Sequence, residues 1–405
     1  MRVDVHALET FNRLAHEGAT EATSSMAAMT GIDATVDVTK ISLIDRADVG
    51  DELGSKSYAG VQFDFDGALS GETVLVFERS QTDEIVESMM PGASADESMA
   101  QSAIEEIGNI MMSGFIDGWA EYLGASIEHT PPGYIEGTSR DVLPEETTAT
   151  GVREQVFVFR SEIEWEGESV NFFIYMLPEY DSIATLLGEH AGEADDAIPI
   201  DKLAVFNQMT QRGTAKAAAN VAQMSGIETD AEVTQISFVP IEDVPKQFSD
   251  ETYVGTAVEF TGAPSGFLLV LFDEQSAITV AEALMPVEVD SPGLTEQHKL
   301  AIEELGNIMT SGFVDGWANV LEQTVDHTPP RLVHDMGRAI IDPLAAQLGQ
   351  HQQHAFVIDS VMRTEELEFT SEIHALPNES ELRSALEDLD VERAEETDAD
   401  TEQIF

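Results

Sequence analysis

Two carboxylate–amide pairs could do chemistry. Glu106 precedes Asn109 by three positions, and Glu304 precedes Asn307 by the same interval. On a helix, residues three apart share a face. A neutral amide both donates to and accepts from water, so it can hold a water molecule in a fixed place. A carboxylate accepts only. Taken alone, such a pair is the solvated face of an amphipathic helix. Three details argue for more. The pair recurs unchanged. It uses Asn, a mediocre helix former, in an acidic chain where Glu or Asp would serve. Each pair is followed at the same distance by two prolines, Pro131-Pro132 and Pro329-Pro330.

The elements that must carry these residues are legible from periodicity. Ile104, Ile107, Met111, Phe115 and Trp119 recur at three and four residues, predicting a helix over 95–123 that spans roughly 40 Å. Ser94 with Glu97 fits a capping box, and Gly124 fits a stop. Ser102, Glu106, Asn109, Ser113 and Asp117 form a polar stripe on the opposite side. The second half repeats the wheel. Ile302, Leu305, Met309, Phe313 and Trp317 face inward, and Glu304, Asn307, Ser311 and Asp315 face outward.

The repeat is the most informative property of the chain. AIEEIGNIMMSGFIDGWA from Ala103 matches AIEELGNIMTSGFVDGWA from Ala301, through to EHTPP at Pro132 and DHTPP at Pro330. Phe11–Gly31 matches Phe206–Gly226, with a boundary near Ile198–Asp201. Each half reads as double again. In the first, a helix over 6–30 precedes strand-like runs at 35–44, 58–65 and 73–77 and a short helix over 82–90. The long helix then precedes runs at 155–164 and 170–176 and a short helix from Asp181. The fold class expected is α+β, two domains with helices packed on antiparallel sheets. The domains expected are 1–199 and 200–384, followed by an acidic disordered tail over 385–405.

The chain has 405 residues, 77 of them acidic and 19 basic, for a formal net charge of −58. Such a balance argues strongly against nucleic acid as a partner, which needs a clustered basic surface, and against anionic membranes. Its self-repulsion is screened at molar salt, where the Debye length is about 3 Å, so the composition suits a high-salt, halophilic cytoplasm. Hydrophobic residues make up 42%, enough for proper cores. Cysteine is absent, which excludes disulfides and thiolate chemistry. With no signal-like N-terminus and no apolar run long enough to span a bilayer, a soluble, cytoplasmic protein without membrane insertion is expected. Zincin, P-loop, dinucleotide and nucleophile-elbow motifs are absent.

The run Ser102-x3-Glu106-x2-Asn109-x22-Pro132 resembles the signature of the CheC phosphatase family of chemotaxis proteins, relatives of CheX and the phosphatase domain of FliY. Every element matches in the first half. In the second, Glu304, Asn307 and Pro330 match, but Leu300 replaces the opening Asp or Ser. The resemblance implies two fused CheC-like domains, each a pseudo-twofold duplication. The early helices then carry degenerate sites, with Arg13 and His16, or Gln208 and Gln211, where Glu and Asn belong. They are aligned through Gly18-Ala19 and Gly213-Thr214. An alternative register on Glu9 and Asn12 has Thr35 where the proline belongs.

That resemblance implies a phosphatase acting on the aspartyl-phosphate of the response regulator CheY. The regulator supplies its own Mg²⁺ and Lys, so no cofactor of the chain's own is expected. Asn109 and Asn307 would position the attacking water, with no charge to repel the phosphoryl group. Glu106 and Glu304 would pair with the regulator's Lys. Ser102 would orient Glu106, and Pro132 and Pro330 would shape the chain beneath the site. His129 and His327 are expected to be structural, fixing the turn into the strand. Asp117 and Asp315 could touch a partner or merely be solvated. The resemblance also admits a non-catalytic adaptor binding the deamidase CheD, or a FliM-like switch component. Survival of both Glu–Asn pairs favours the enzyme. The terminal Gln-Ile-Phe could be a docking peptide.

Overall fold

In the computed structural model, residues 2–30, 34–45, 49–50, 53, 56–82, 86–87, 97–143, 155–165, 171–179, 182, 197–225, 230–248, 251–285, 293–321, 324–363 and 370–389 are described. The chain divides into two compact units, Asp4–Ala194 and Asp195–Phe405, the latter joined by Met1–Val3. Ser94, most of the short helix over 82–90, the one expected from Asp181 and the terminal Gln-Ile-Phe lie outside the described residues.

The amino-terminal unit is built from α1 (Val5–Thr30), β1 (Ala34–Asp45), β2 (Ser57–Gly67), β3 (Gly71–Glu78), α2 (Glu97–Leu123), β4 (Ile127–His129), β5 (Gly133–Thr138), α3 (Ser139–Val142), β6 (Gln155–Trp165) and β7 (Asn171–Pro178). Its strands pair antiparallel in the order β1-β6-β7-β3-β2, with β4 and β5 both on the free side of β2. The helix-led halves, α1 with β1–β3 and α2 with β4–β7, thus meet along β3 and β7. Read outward from that seam, each side carries the last and middle strands of one half and then the first of the other. The order is palindromic, which is the sheet signature of an internal twofold repeat.

The carboxy-terminal unit repeats this plan. It comprises α4 (Ile200–Ser225), β8 (Asp230–Pro240), β9 (Thr252–Thr261), β10 (Gly266–Asp273), α5 (Glu274–Leu284), α6 (Glu296–Leu321), β11 (Asp326–His327), β12 (Arg331–Met336), α7 (Gly337–Leu348), β13 (His354–Arg363), β14 (Thr370–Pro377) and α8 (Glu379–Asp388). The order is β8-β13-β14-β10-β9, with β11 and β12 on β9. Its second sheet face is also covered. Val239, Phe248, Leu269, Leu271 and Leu376 pack with Ile341, Leu344 and Leu348 of α7. Helix α7 and the first of the paired strands, β4, have no counterpart among the elements expected from periodicity.

The acidic tail expected over 385–405 does not begin at 385. Ala385 and Leu386 belong to α8 and are buried, as is Leu389. Apolar residues at spacings of three and four anchor an otherwise acidic segment to the core. The residues beyond Leu389 lie outside the described ones.

Helix α2 buries the face that periodicity assigns. Ile104, Ile107, Met111, Phe115 and Trp119 are each at most 2% exposed. Trp119 meets Phe159 of β6 edge-on, with centroids 5.2 Å apart, and rests on Gly18 of α1, where a Cβ would lie 2.6 Å from the indole. The helix ends at Gly124, whose φ of 60° only glycine adopts freely. Gly124 N–H donates to Glu121 and Ala125 N–H to Ala120, which closes a Schellman motif.

Candidate functional site

The polar stripe of α2 emerges at one end of the sheet. Ser102 and Glu106 are exposed and Asn109 is half-buried. Together with Glu105, His129, Thr130, Pro131 and Pro132 they line an open cleft of about 610 Å³. One wall is the helix and the other is the HTPP turn between β4 and β5. In the carboxy-terminal unit, α6 presents Glu304 exposed and Asn307 half-buried, with Pro330 half-buried after β11. Leu300, at the position of Ser102, is 66% exposed.

Two local devices build the cleft. The first is the close seating of the helix. A Cβ on Gly108 would lie 2.2 Å from Cγ2 of Val61 on β2, and one on Gly306 would lie 2.2 Å from Oγ1 of Thr256 on β9. The residue just before each Asn therefore touches the sheet. Propensity alone favours Ala over Gly mid-helix by about 1 kcal/mol, yet overpacking of a stiff β-branched neighbour costs about 1–3 kcal/mol. Packing decides the sign. Gly108→Ala is expected to lower the thermal unfolding midpoint, and adding Val61→Ala to restore part of the loss. A stabilised Gly108→Ala chain would refute this packing.

The second device is the proline turn. β4 pairs residues 127–129 with 65–67 of β2, and β5 pairs 133–138 with 57–62. Between them Pro131 and Pro132 have no N–H to give the ladder, so the chain leaves the sheet there and forms the wall of the cleft. Thr130 pins the departure. Its N–H donates to Asp64 O at 2.9 Å, and its Oγ1 accepts from Asp64 N–H at 3.0 Å. Thr328 holds Glu259 of β9 in the same two ways, at 2.9 and 3.0 Å.

The histidines lie beside these turns. His129 Nδ1 is 2.9 Å from the Thr130 carbonyl and its Nε2 is 3.2 Å from Ser113 Oγ. Its ring stands edge-on to Phe63, with centroids 5.6 Å apart. The Ser113 hydroxyl donates to the carbonyl of Asn109 at 2.6 Å. His327, Thr328, Ser311 and Asn307 reproduce the contacts at 3.0, 3.2 and 2.8 Å. Among the described residues the cleft wall holds two carboxylates, Glu105 and Glu106, and one potential cation, His129.

Of the degenerate positions, His16 is exposed and Gln211 half-buried. The side chains of Glu9, Asn12, Arg13 and Gln208 lie outside the described residues. Asp117 is exposed. Asp315 sits 3.8 Å from Lys216 of α4, both well exposed, a contact worth little to stability. Sequence reasoning missed Glu105, Thr130 and Thr328, and the coupling of Ser113 to His129. The recurrence of HTPP after an i+4 serine was the available signal. Among the described residues no helix is long and apolar enough to cross a membrane.

The CheC-like family model matches residues 99–136 and 301–334, the two helix–turn segments just described. The chain is 35% identical over 186 residues to CheC1 of Halobacterium salinarum, whose name carries CheY-P phosphatase as a provisional assignment. That alignment takes 45% of this chain and 92% of the relative. Among solved structures, FliY of Thermotoga maritima is similar at 18% identity and a TM-score of 0.40, over 47% of this chain and 96% of that one. CheX of Vibrio vulnificus is similar at 14% identity and a TM-score of 0.30, over 41% and 99%. Scores that low add no weight. The identity to a relative aligned over nearly its whole length, together with the motif matched in both halves, carries the conclusion that the chain belongs to the CheC-like family.

Proposed function

We propose that the chain is a phosphatase for the aspartyl-phosphate of the chemotaxis response regulator CheY. Asn109, and Asn307 in the second unit, hold the water that attacks phosphorus in line. Glu106 and Glu304 pair with the regulator's active-site Lys and keep the complex in register. The observation that carries this reading is the exposure of each Glu–Asn pair on a rigid helix. Each carboxylate is open to solvent and each amide is half-open behind it. A second protein can therefore reach both.

The chemistry asks little more of the chain. An acyl phosphate already bound to Mg²⁺ and Lys in the regulator needs a placed nucleophile. A neutral amide places that water without repelling the phosphoryl oxygens. The carboxylates of Glu105 and Glu106 suit a pocket whose charge is supplied by a metal ion and a lysine. The name of the Halobacterium relative supports the same substrate. Ser102 lies one turn before Glu106 on the cleft wall.

The test is direct. The full chain, added to its cognate phosphorylated regulator with Mg²⁺ in molar salt, is expected to accelerate loss of the phosphoryl group. Binding of the phosphorylated regulator with no acceleration would replace this reading with a non-catalytic adaptor.

A further inference from the structure

The two histidines of the HTPP turns have a proton count that depends on their charge. A carbonyl can only accept, so the 2.9 Å contact between His129 Nδ1 and Thr130 O puts a proton on Nδ1. In the neutral ring Nε2 is then an acceptor. Ser113 has one hydroxyl proton and two acceptors competing for it, Asn109 O at 2.6 Å and His129 Nε2 at 3.2 Å. One of those contacts must go unmade. In the imidazolium both nitrogens donate. Nε2–H then serves Ser113 Oγ, the hydroxyl serves Asn109 O, and the chain of three hydrogen bonds is complete. The carboxy-terminal unit holds the same set, His327 to Thr328 O, His327 to Ser311 and Ser311 to Asn307 O.

We infer that His129 and His327 are positioning residues that lock the proline wall of each cleft to the helical turn carrying its Asn, and that the lock is complete only when the histidine is charged. The inference rests on the phosphatase reading of the same cleft. One end of the lock is Thr130, itself clamped to Asp64 of β2. The other is the backbone of Asn109. Proton gain therefore ties two walls that belong to different elements, and loss of the proton frees one link.

The charged groups around the ring are acidic. Glu105 and Glu106 of α2 line the cleft, and Asp117 follows one turn after Ser113 on the same helix. β2 offers Phe63 to the ring and exposed Asp64 and Asp66 beside it, and β4 carries exposed Glu128. Around His327 the set is Glu303, Glu304 and Asp315 of α6, with Lys216 of α4 at 3.8 Å from Asp315. Glu259 of β9, Asp326 of β11 and Arg331 of β12 complete it.

Two measurements on the full-length chain test the lock. In the first, NMR follows the His129 ring nitrogens and the Asn109 carbonyl carbon from about pH 5 to 8, the range in which histidines change charge. The carbonyl is expected to shift as the ring nitrogens do. In Ser113→Ala the carbonyl should stay still across that range. A carbonyl indifferent to the ring, or one that follows it without Ser113, overturns the inference. In the second, regulator dephosphorylation is measured across the same range. His129→Gln with His327→Gln is expected to flatten the profile and to lose about tenfold at its acid end, equivalent to about 1.4 kcal/mol. An unchanged profile in that variant overturns the positioning role. Intact coupling by NMR in a chain with no phosphatase activity at any pH would remove the functional reading and leave the lock standing.

Discussion

A chain carrying both Asn109→Ala and Asn307→Ala is expected to lose phosphatase activity by about 10²–10³-fold, the cost of removing a positioned polar group from a developing transition state. The loss should fall on turnover and not on folding. Both side chains are half-exposed on helix surfaces, and Ala is a better helix former than Asn. Measuring hydrolysis of the phosphorylated regulator beside the unfolding midpoint separates the two. A double variant that keeps activity within a few-fold of the parent sinks the mechanism. The single variants carry a finer expectation. Ser102 lines the first cleft, whereas Leu300 stands 66% exposed at the second and has no hydrogen bond to offer Glu304. Asn109→Ala alone should therefore cost more than Asn307→Ala alone.

The second large effect concerns stability. His374 of β14 lies between two carboxylates, with Nδ1 2.7 Å from Asp359 Oδ1 and Nε2 3.0 Å from Glu372 Oε2. Phe248 covers the ring, its centroid 4.6 Å away. Burial by itself pushes the imidazole down. The hydrogen bonds to Asp359 and Glu372, reinforced by their charges, overcome it and raise the ring to about 9 from the ordinary 6.5. The folded state thus holds a proton more tightly than the unfolded chain. Its contribution is fully present below pH 6.5 and disappears as pH rises through 9.

Converted at 1.36 kcal/mol per unit, the contribution is on the order of 3 kcal/mol. Register places Arg160 opposite Tyr175 in the amino-terminal unit, where the carboxy-terminal unit has Asp359 opposite His374. The effect should therefore be confined to the carboxy-terminal unit. Hydrogen exchange of the β13 and β14 amides is expected to accelerate from pH 7 to 10, after correction for intrinsic rates. In His374→Gln that excess acceleration should vanish. Equal slopes in the two chains would show that the half-buried trio does not hold its proton.

The sequence by itself determined the features governed by local periodicity and by repetition. The inward faces of α2 and α6, the glycine stop after Leu123, the doubling of the chain and the candidate Glu–Asn pairs were all legible there. One helical turn fixes which residues share a face. Only the tertiary structure decided what crosses between elements. Asp64 and Thr130 are far apart in the chain, and nothing local says that the Thr after the His will clamp that strand. Ser113 meets His129 because β4 returns alongside α2, and Asp359 meets His374 because of strand register. The sheet order, the second-face packing of α7 and the burial of Leu386 and Leu389 are of the same kind. Their cause is contact between elements distant in sequence; in the strand pairs a one-residue change of register would turn Asp359 and His374 to opposite faces of the sheet.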